Sequence, residues 1–106
     1  MKTSDALVAL AALAQENRLA VFRLLVQNGP DGLTPGVIGS RLDLPAPTLS
    51  FHLRTLARAG LVTTVQEGRF LRYRADMGAF NSLIAFLTED CCSGNLLACS
   101  LTGENE

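Results

Sequence analysis

The apolar positions of this chain recur at helical spacing, then alternate, then return to helical spacing. Ser4 or Asp5 can cap a first helix running to about Ala14. Leu7, Leu10, Ala11 and Ala14 lie along one stripe of it, and Val8 and Ala12 along another. A helix apolar on nearly all sides is covered on more than one side, which in a small chain points to a subunit interface as readily as to a core. A second helix is expected from about Asn17 to Gln27, with Leu19, Phe22 and Val26 inward and Leu25 beside them. Asn28-Gly29-Pro30-Asp31-Gly32 ends it, because glycine caps a helix and proline cannot continue one.

Thr34 and Pro35 form a cap and first-turn pair, opening a short helix Pro35–Leu42 that buries Val37, Ile38 and Leu42. Asp43-Leu44-Pro45-Ala46 reads as a turn, and Pro47 opens the next helix, ending near Ala59-Gly60. Leu49, Leu53 and Leu56 stack inward at i, i+4 and i+7. Thr48, Phe51, Arg54, Thr55 and Arg58 point the other way, with Ser50 and His52 on the flanks. The period then changes to two. Leu61–Gln66 and Phe70–Ala75 are strand-like and join at Glu67-Gly68-Arg69. Asp76 caps a last helix, Met77 to about Glu89, with Phe80, Leu83, Ile84 and Leu87 on one face.

The expected fold class is therefore mainly α with a β-hairpin wing, a winged helix-turn-helix. Residues 1–89 form the DNA-binding and dimerisation domain, and residues 90–106 a polar tail rich in Ser, Gly, Asn and Cys. A chain of 106 residues is one ordinary domain or one subunit of an oligomer. With 48% hydrophobic residues and no Trp, aliphatic side chains must fill the core.

The net charge of −1 is not that of a general polyanion binder, but its distribution is uneven. Arg41, Arg54, Arg58, Arg69, Arg72 and Arg74 face only Asp43 and Glu67 between positions 41 and 74, a local net charge of +4. On this pattern the helix after the turn lies in a major groove, reaching base edges from Thr48, Ser50, Phe51 and Arg54. Phe51 can meet a thymine methyl, and Arg69 at the wing tip a phosphate or the minor groove. Arg58 and His52 complete the candidate DNA-binding set, His52 as a packing or phosphate-contacting residue. The competing reading is a solvated amphipathic helix in a protein-interaction module.

No targeting signal is visible. Asp5 interrupts the order of a signal peptide, and the first apolar run is too short to span a bilayer, so a cytoplasmic protein with no membrane partner is expected. An enzyme is not expected. The only histidine, His52, has no acid nearby in sequence, and Ala98 stands where a Cys-x5-Arg phosphatase loop starting at Cys92 would need arginine.

The run PTLSFHLRTLARAGLV resembles the recognition helix of the ArsR/SmtB family of metal-sensing repressors, EGRFLRYR its wing, and ENRLAVFRLL its second helix. The similarity covers roughly residues 5–90. It implies a homodimer with one winged helix per subunit that represses transcription until an inducer binds. One motif differs. Many arsenic-responsive members carry C-V-C-D-L in the helix before the recognition helix, whereas here PGVIGSRL has no cysteine.

All three cysteines, Cys91, Cys92 and Cys99, lie within nine residues of the tail. Some arsenic-responsive members carry a similar Cys-Cys pair followed by a third cysteine. Thiolates select soft centres. A structural zinc site takes four ligands, and the tail offers three thiols and no histidine. Trivalent arsenic needs only three, exchanging three hydroxyls for three thiols, and antimony follows the same logic. No cofactor is required, and the expected inducer is As(III) or Sb(III). A redox switch, another soft metal and incidental cysteines remain alternatives.

Overall fold

The computed structural model describes residues 1–94 of the chain. Five helices and one antiparallel hairpin follow in the order α1 (Thr3–Leu13), α2 (Glu16–Asn28), α3 (Pro35–Leu42), α4 (Ala46–Arg58), β1 (Val62–Glu67), β2 (Phe70–Ala75) and α5 (Met77–Leu87). A short 3-10 turn, Cys91–Gly94, follows α5. The architecture is the expected winged helix-turn-helix.

Helix α1 begins two or three residues earlier than expected: Lys2 is its N-cap, and Asp5 Oδ2 accepts from the Lys2 backbone N–H at 3.4 Å. Its inward face is Ala6, Ala9 and Ala12, all buried. Side chains no longer than a methyl let this helix pack closely on α2, α4 and α5. The larger Leu7, Val8 and Leu10 are left exposed.

Helix α2 is capped by Gln15, whose side chain accepts from Arg18 N at 2.9 Å. Its buried residues are Val21, Phe22 and Leu25, whereas Leu19 and Val26, expected inward, are exposed. Phe22, inward as expected, packs at a 44° tilt on Phe80 of α5 with ring centroids 5.4 Å apart, and the buried neighbours on its side are Val21 and Leu25.

Helix α3 is capped by Thr34, whose Oγ1 accepts from Val37 N at 3.4 Å. It buries Ile38 and leaves Val37 exposed, because its packing partners α2, α4 and β2 lie on the Ile38 side. Helix α4 starts at Ala46, one residue before the expected Pro47, since Pro45 supplies the extended N-cap. Leu49, Leu53 and Leu56 are buried as expected and form the centre of the core with Ile38, Leu25 and Leu61.

The hairpin pairs Val62 with Ala75 through to Glu67 with Phe70, leaving Gly68 and Arg69 as a two-residue turn. Gly68 has φ +60°, the conformation a tight hairpin asks of glycine at its first loop position. Leu61, expected in the strand, stands just outside it, buried, with its carbonyl accepting from Asp76 N at 2.8 Å.

One connection was not expected. Leu33 pairs with Tyr73 of β2, donating at 2.9 Å and accepting at 2.8 Å. The preceding Gly32 has φ +79°, and a Cβ there would stand 2.9 Å from the Tyr73 carbonyl oxygen. The turn after α2 is thus stitched to the wing, fixing the wing against the helices.

Asp76 caps α5 as expected, accepting from Ala79 N at 3.0 Å. The helix ends at Leu87 rather than Glu89. Leu83 belongs to the protomer's own core, whereas Ile84 and Leu87 are exposed.

Candidate nucleic-acid interface

The turn between α3 and α4 is closed by Asp43 in the left-handed conformation, φ +55°, and by Leu44 N donating to Gly39 O at 2.9 Å. This geometry fixes α4 on α3. With Leu49, Leu53 and Leu56 committed inward, the 3.6-residue period sends Thr48, Ser50, Phe51 and Arg54 outward, and all four are exposed. Phe51 is 54% exposed, a large apolar face on an otherwise polar and basic surface. Thr55, expected outward, is half-buried, and its hydroxyl donates to the Phe51 carbonyl at 3.2 Å.

His52 does not lie on this surface. It is 6% exposed, facing the core beside the inward leucines. Nη1 of Arg18 lies 3.5 Å from its Nδ1, and Phe51 meets its ring edge-on at 5.7 Å. Burial first, and the Arg18 charge second, hold its pKa below the usual 6.5. The neighbouring leucine stripe is wide enough to include position 52, so the flank assignment gives way to a packing role. Arg58 is exposed at the C-terminal end of α4, where it lines a cleft against α1 as well as facing solvent.

On the wing, Arg69 stands exposed at the tip. Phe70 beside it is 64% exposed, a feature that strand alternation gave no reason to single out. Arg72 Nε lies 3.2 Å from Glu67 Oε1, close enough for an ion pair though not aligned as a hydrogen bond. Arg74 Nε donates to Thr63 Oγ1 across the strands at 3.2 Å. The hairpin thus presents Arg69 at its tip without a carboxylate against it among the described residues. Two strands and a helix-turn-helix with this distribution of charge offer donors to phosphates and a mixed polar–apolar face to base edges.

The proposed thiol ligands fall just beyond α5. Cys91 is half-buried and Cys92 exposed, with their Sγ atoms 3.4 Å apart, and Cys91 N donates to Thr88 O at 2.9 Å. Cys99 lies outside the described residues, and among those described no three His, Cys, Asp or Glu side chains cluster as a metal site. No helix among the described residues is long and apolar enough to cross a membrane.

Residues 13–65 match the family described as a helix-turn-helix domain. The transcriptional activator HlyU of Vibrio cholerae serotype O1 is 34% identical over 93 residues, covering 88% of this chain and 83% of that protein. Its solved structure superposes with a TM-score of 0.67 at 34% identity, over 87% of this chain and 99% of that one. An ArsR-like transcriptional regulator from Rhodococcus sp. RHA1 gives a TM-score of 0.72 at 28% identity, over 79% and 76% of the two chains. A chain described as a possible transcriptional regulator for arsenical resistance gives 0.65 at 32% identity, over 74% and 79%.

Proposed function

This chain belongs to the ArsR family of winged helix-turn-helix transcriptional regulators, and from that premise we propose that it is a homodimeric repressor released from operator DNA by arsenite or antimonite. Thr48, Ser50, Phe51 and Arg54 read the major groove, and Arg69 and Arg58 contact the backbone. The exposed faces Leu7–Leu10 of α1 and Ile84–Leu87 of α5 join two subunits. Cys91, Cys92 and Cys99 form the inducer site, and the tail from residue 90 onward carries it. A cytoplasmic location suits three thiols that must stay reduced.

The observation that carries the inducer reading is the vicinal pair: two sulfurs 3.4 Å apart, directly after the helix assigned to the dimer. Arsenous acid condenses with thiols by losing water, so three S–As bonds replace three O–As bonds with no net proton release. Binding is then nearly independent of pH around neutrality, whereas a divalent metal would displace thiol protons. The likeness to a possible regulator of arsenical resistance supports the same choice of ligand. The effector acts only through unequal affinity for the DNA-competent and incompetent states. A coupling of about 1–3 kcal/mol lowers operator affinity roughly 5- to 150-fold.

The test is a gel shift on the promoter of the chain's own gene, with a reporter alongside, for wild type and three single Cys→Ser variants at Cys91, Cys92 and Cys99. Wild type binds and arsenite releases it; each variant binds and fails to respond. Binding no better than to random duplex removes the repressor reading. A full response in Cys99→Ser leaves only the vicinal pair as sensor. The reporter also fixes the sign of regulation, since the HlyU relative is named an activator.

A further inference from the structure

Behind the recognition helix, a cleft of about 310 Å³ separates α1 from the C-terminal half of α4. That volume is at the lower end of the range of small-molecule sites. Val8, Ala11 and Ala12 of α1 and Ala59 after α4 give it apolar walls, and Arg18 and Arg58 are its charged groups. The cleft lies along the Val8–Ala12 edge of α1 and borders the stripe of Leu7 and Leu10 at Ala11, so it opens beside the face assigned to the second subunit.

Neither guanidinium has a carboxylate against it: among the described residues the ion pair within 4 Å is Arg72–Glu67. Arg18 spends Nε on the Ala12 carbonyl at 2.7 Å and turns Nη1 to His52, leaving the Nη2 donors. The Thr55 hydroxyl proton is used on Phe51 O at 3.2 Å. Asp5 lines an adjoining cavity of about 520 Å³ together with Arg58 and is not among the residues lining the cleft. Its Oδ2 accepts from the Lys2 backbone N–H. A small apolar cleft bearing two cations and no anion of its own is complementary to a ligand with an apolar body and one negative end.

We propose that the cleft between α1 and α4 binds a small apolar monocarboxylate, with Arg58 and Arg18 holding the carboxylate and Val8, Ala11, Ala12 and Ala59 covering the body. Arg58 lies at the solvent edge and supplies the planar fork that pairs with a carboxylate through two parallel hydrogen bonds. Once held there, Arg58 is withdrawn from any DNA phosphate, so occupancy weakens operator binding. Only this last consequence rests on the repressor reading; the binding step does not.

The probes are benzoate and benzamide, which share a shape and differ in charge, titrated calorimetrically into the full chain without DNA. Benzoate binds saturably, and benzamide at least roughly tenfold more weakly, the scale of a lost charged hydrogen bond. Arg58→Gln loses a similar factor for benzoate while keeping the wild-type circular dichroism, and Arg58→Lys falls between. Equal binding of the two probes, unchanged benzoate binding in Arg58→Gln, or no saturable binding overturns the proposal. With DNA present, benzoate at saturation lowers operator affinity, and a short duplex lowers benzoate affinity by the same factor.

Discussion

Arg18 Nη1 lies 3.5 Å from Nδ1 of His52, placing a cation from α2 against the buried side of the recognition helix. An arginine can only donate, so Nδ1 is the acceptor and the imidazole proton sits on Nε2. The same guanidinium donates from Nε to the Ala12 carbonyl at 2.7 Å. One side chain therefore ties the end of α1 to α4, and its charge adds to burial in holding the histidine pKa below 6.5.

Folding stability should fall on mild acidification, because His52 is buried and, second, faces this guanidinium. His52 titrates near 6.5 when unfolded and below it when folded. In that interval the unfolded chain binds more protons, so stability drops as pH falls through 6.5 and levels off below the folded pKa. Urea unfolding at a series of pH values reads this directly. His52→Gln should remove the component, and Arg18→Gln should narrow its range while the burial cause remains. Equal slopes for wild type and His52→Gln between pH 7 and 5 would contradict the assignment.

For DNA, Arg69→Ala should weaken binding about equally across sequences and lower the salt slope by about one. Arg54→Ala should also relax discrimination among operator variants, by roughly 1–3 kcal/mol at the position it reads. Fluorescence anisotropy at several salt concentrations separates the two effects; a sequence-selective loss in Arg69→Ala would exchange their roles.

Two substitutions distinguish a subunit interface from a protomer core. Leu7→Glu and Leu87→Glu fall on residues 62% and 52% exposed in the protomer, where a charge costs little. In a dimer that covers them, the same charge is buried without a partner. Both should yield folded monomers by sedimentation, whereas Leu83→Glu, at 1% exposure, should unfold the chain itself. Wild type sedimenting as a monomer at micromolar concentration would exclude the dimer.

Two glycines should respond oppositely to alanine. Gly32→Ala must hold a side chain at φ +79° against the Tyr73 carbonyl and should lose about 1–3 kcal/mol. Gly36→Ala, in α3 with nothing within 4 Å of the added methyl, should gain up to about 1 kcal/mol. Denaturant midpoints of the two variants give the comparison.

These particulars show where the sequence spoke clearly. The Leu49–Leu53–Leu56 period placed α4 and its outward Thr48, Phe51 and Arg54, since a strong amphipathic pattern leaves one orientation. Local capping chemistry placed α3 and α5 through Thr34 and Asp76. What escaped were contacts between residues far apart in the chain. Arg18 with His52, Phe22 with Phe80 and Leu33 with Tyr73 leave no mark on local periodicity, so His52 was expected on the flank and Leu19 inward. The burial of alanines in α1 rather than leucines was hidden for a related reason: side-chain size tells little about which face a close-packed helix turns inward.

Asp76 alone separates the end of β2 at Ala75 from the start of α5 at Met77. Its backbone N–H is anchored to Leu61 O at 2.8 Å, and its carboxylate holds the first turn of α5 at 3.0 Å. Hairpin and helix therefore meet at a joint with no slack. With Tyr73 of the same strand held by Leu33 on its other side, β2 is the beam that α5 and the turn after α2 both rest on, so the direction of Arg69 is set from two ends of the chain at once.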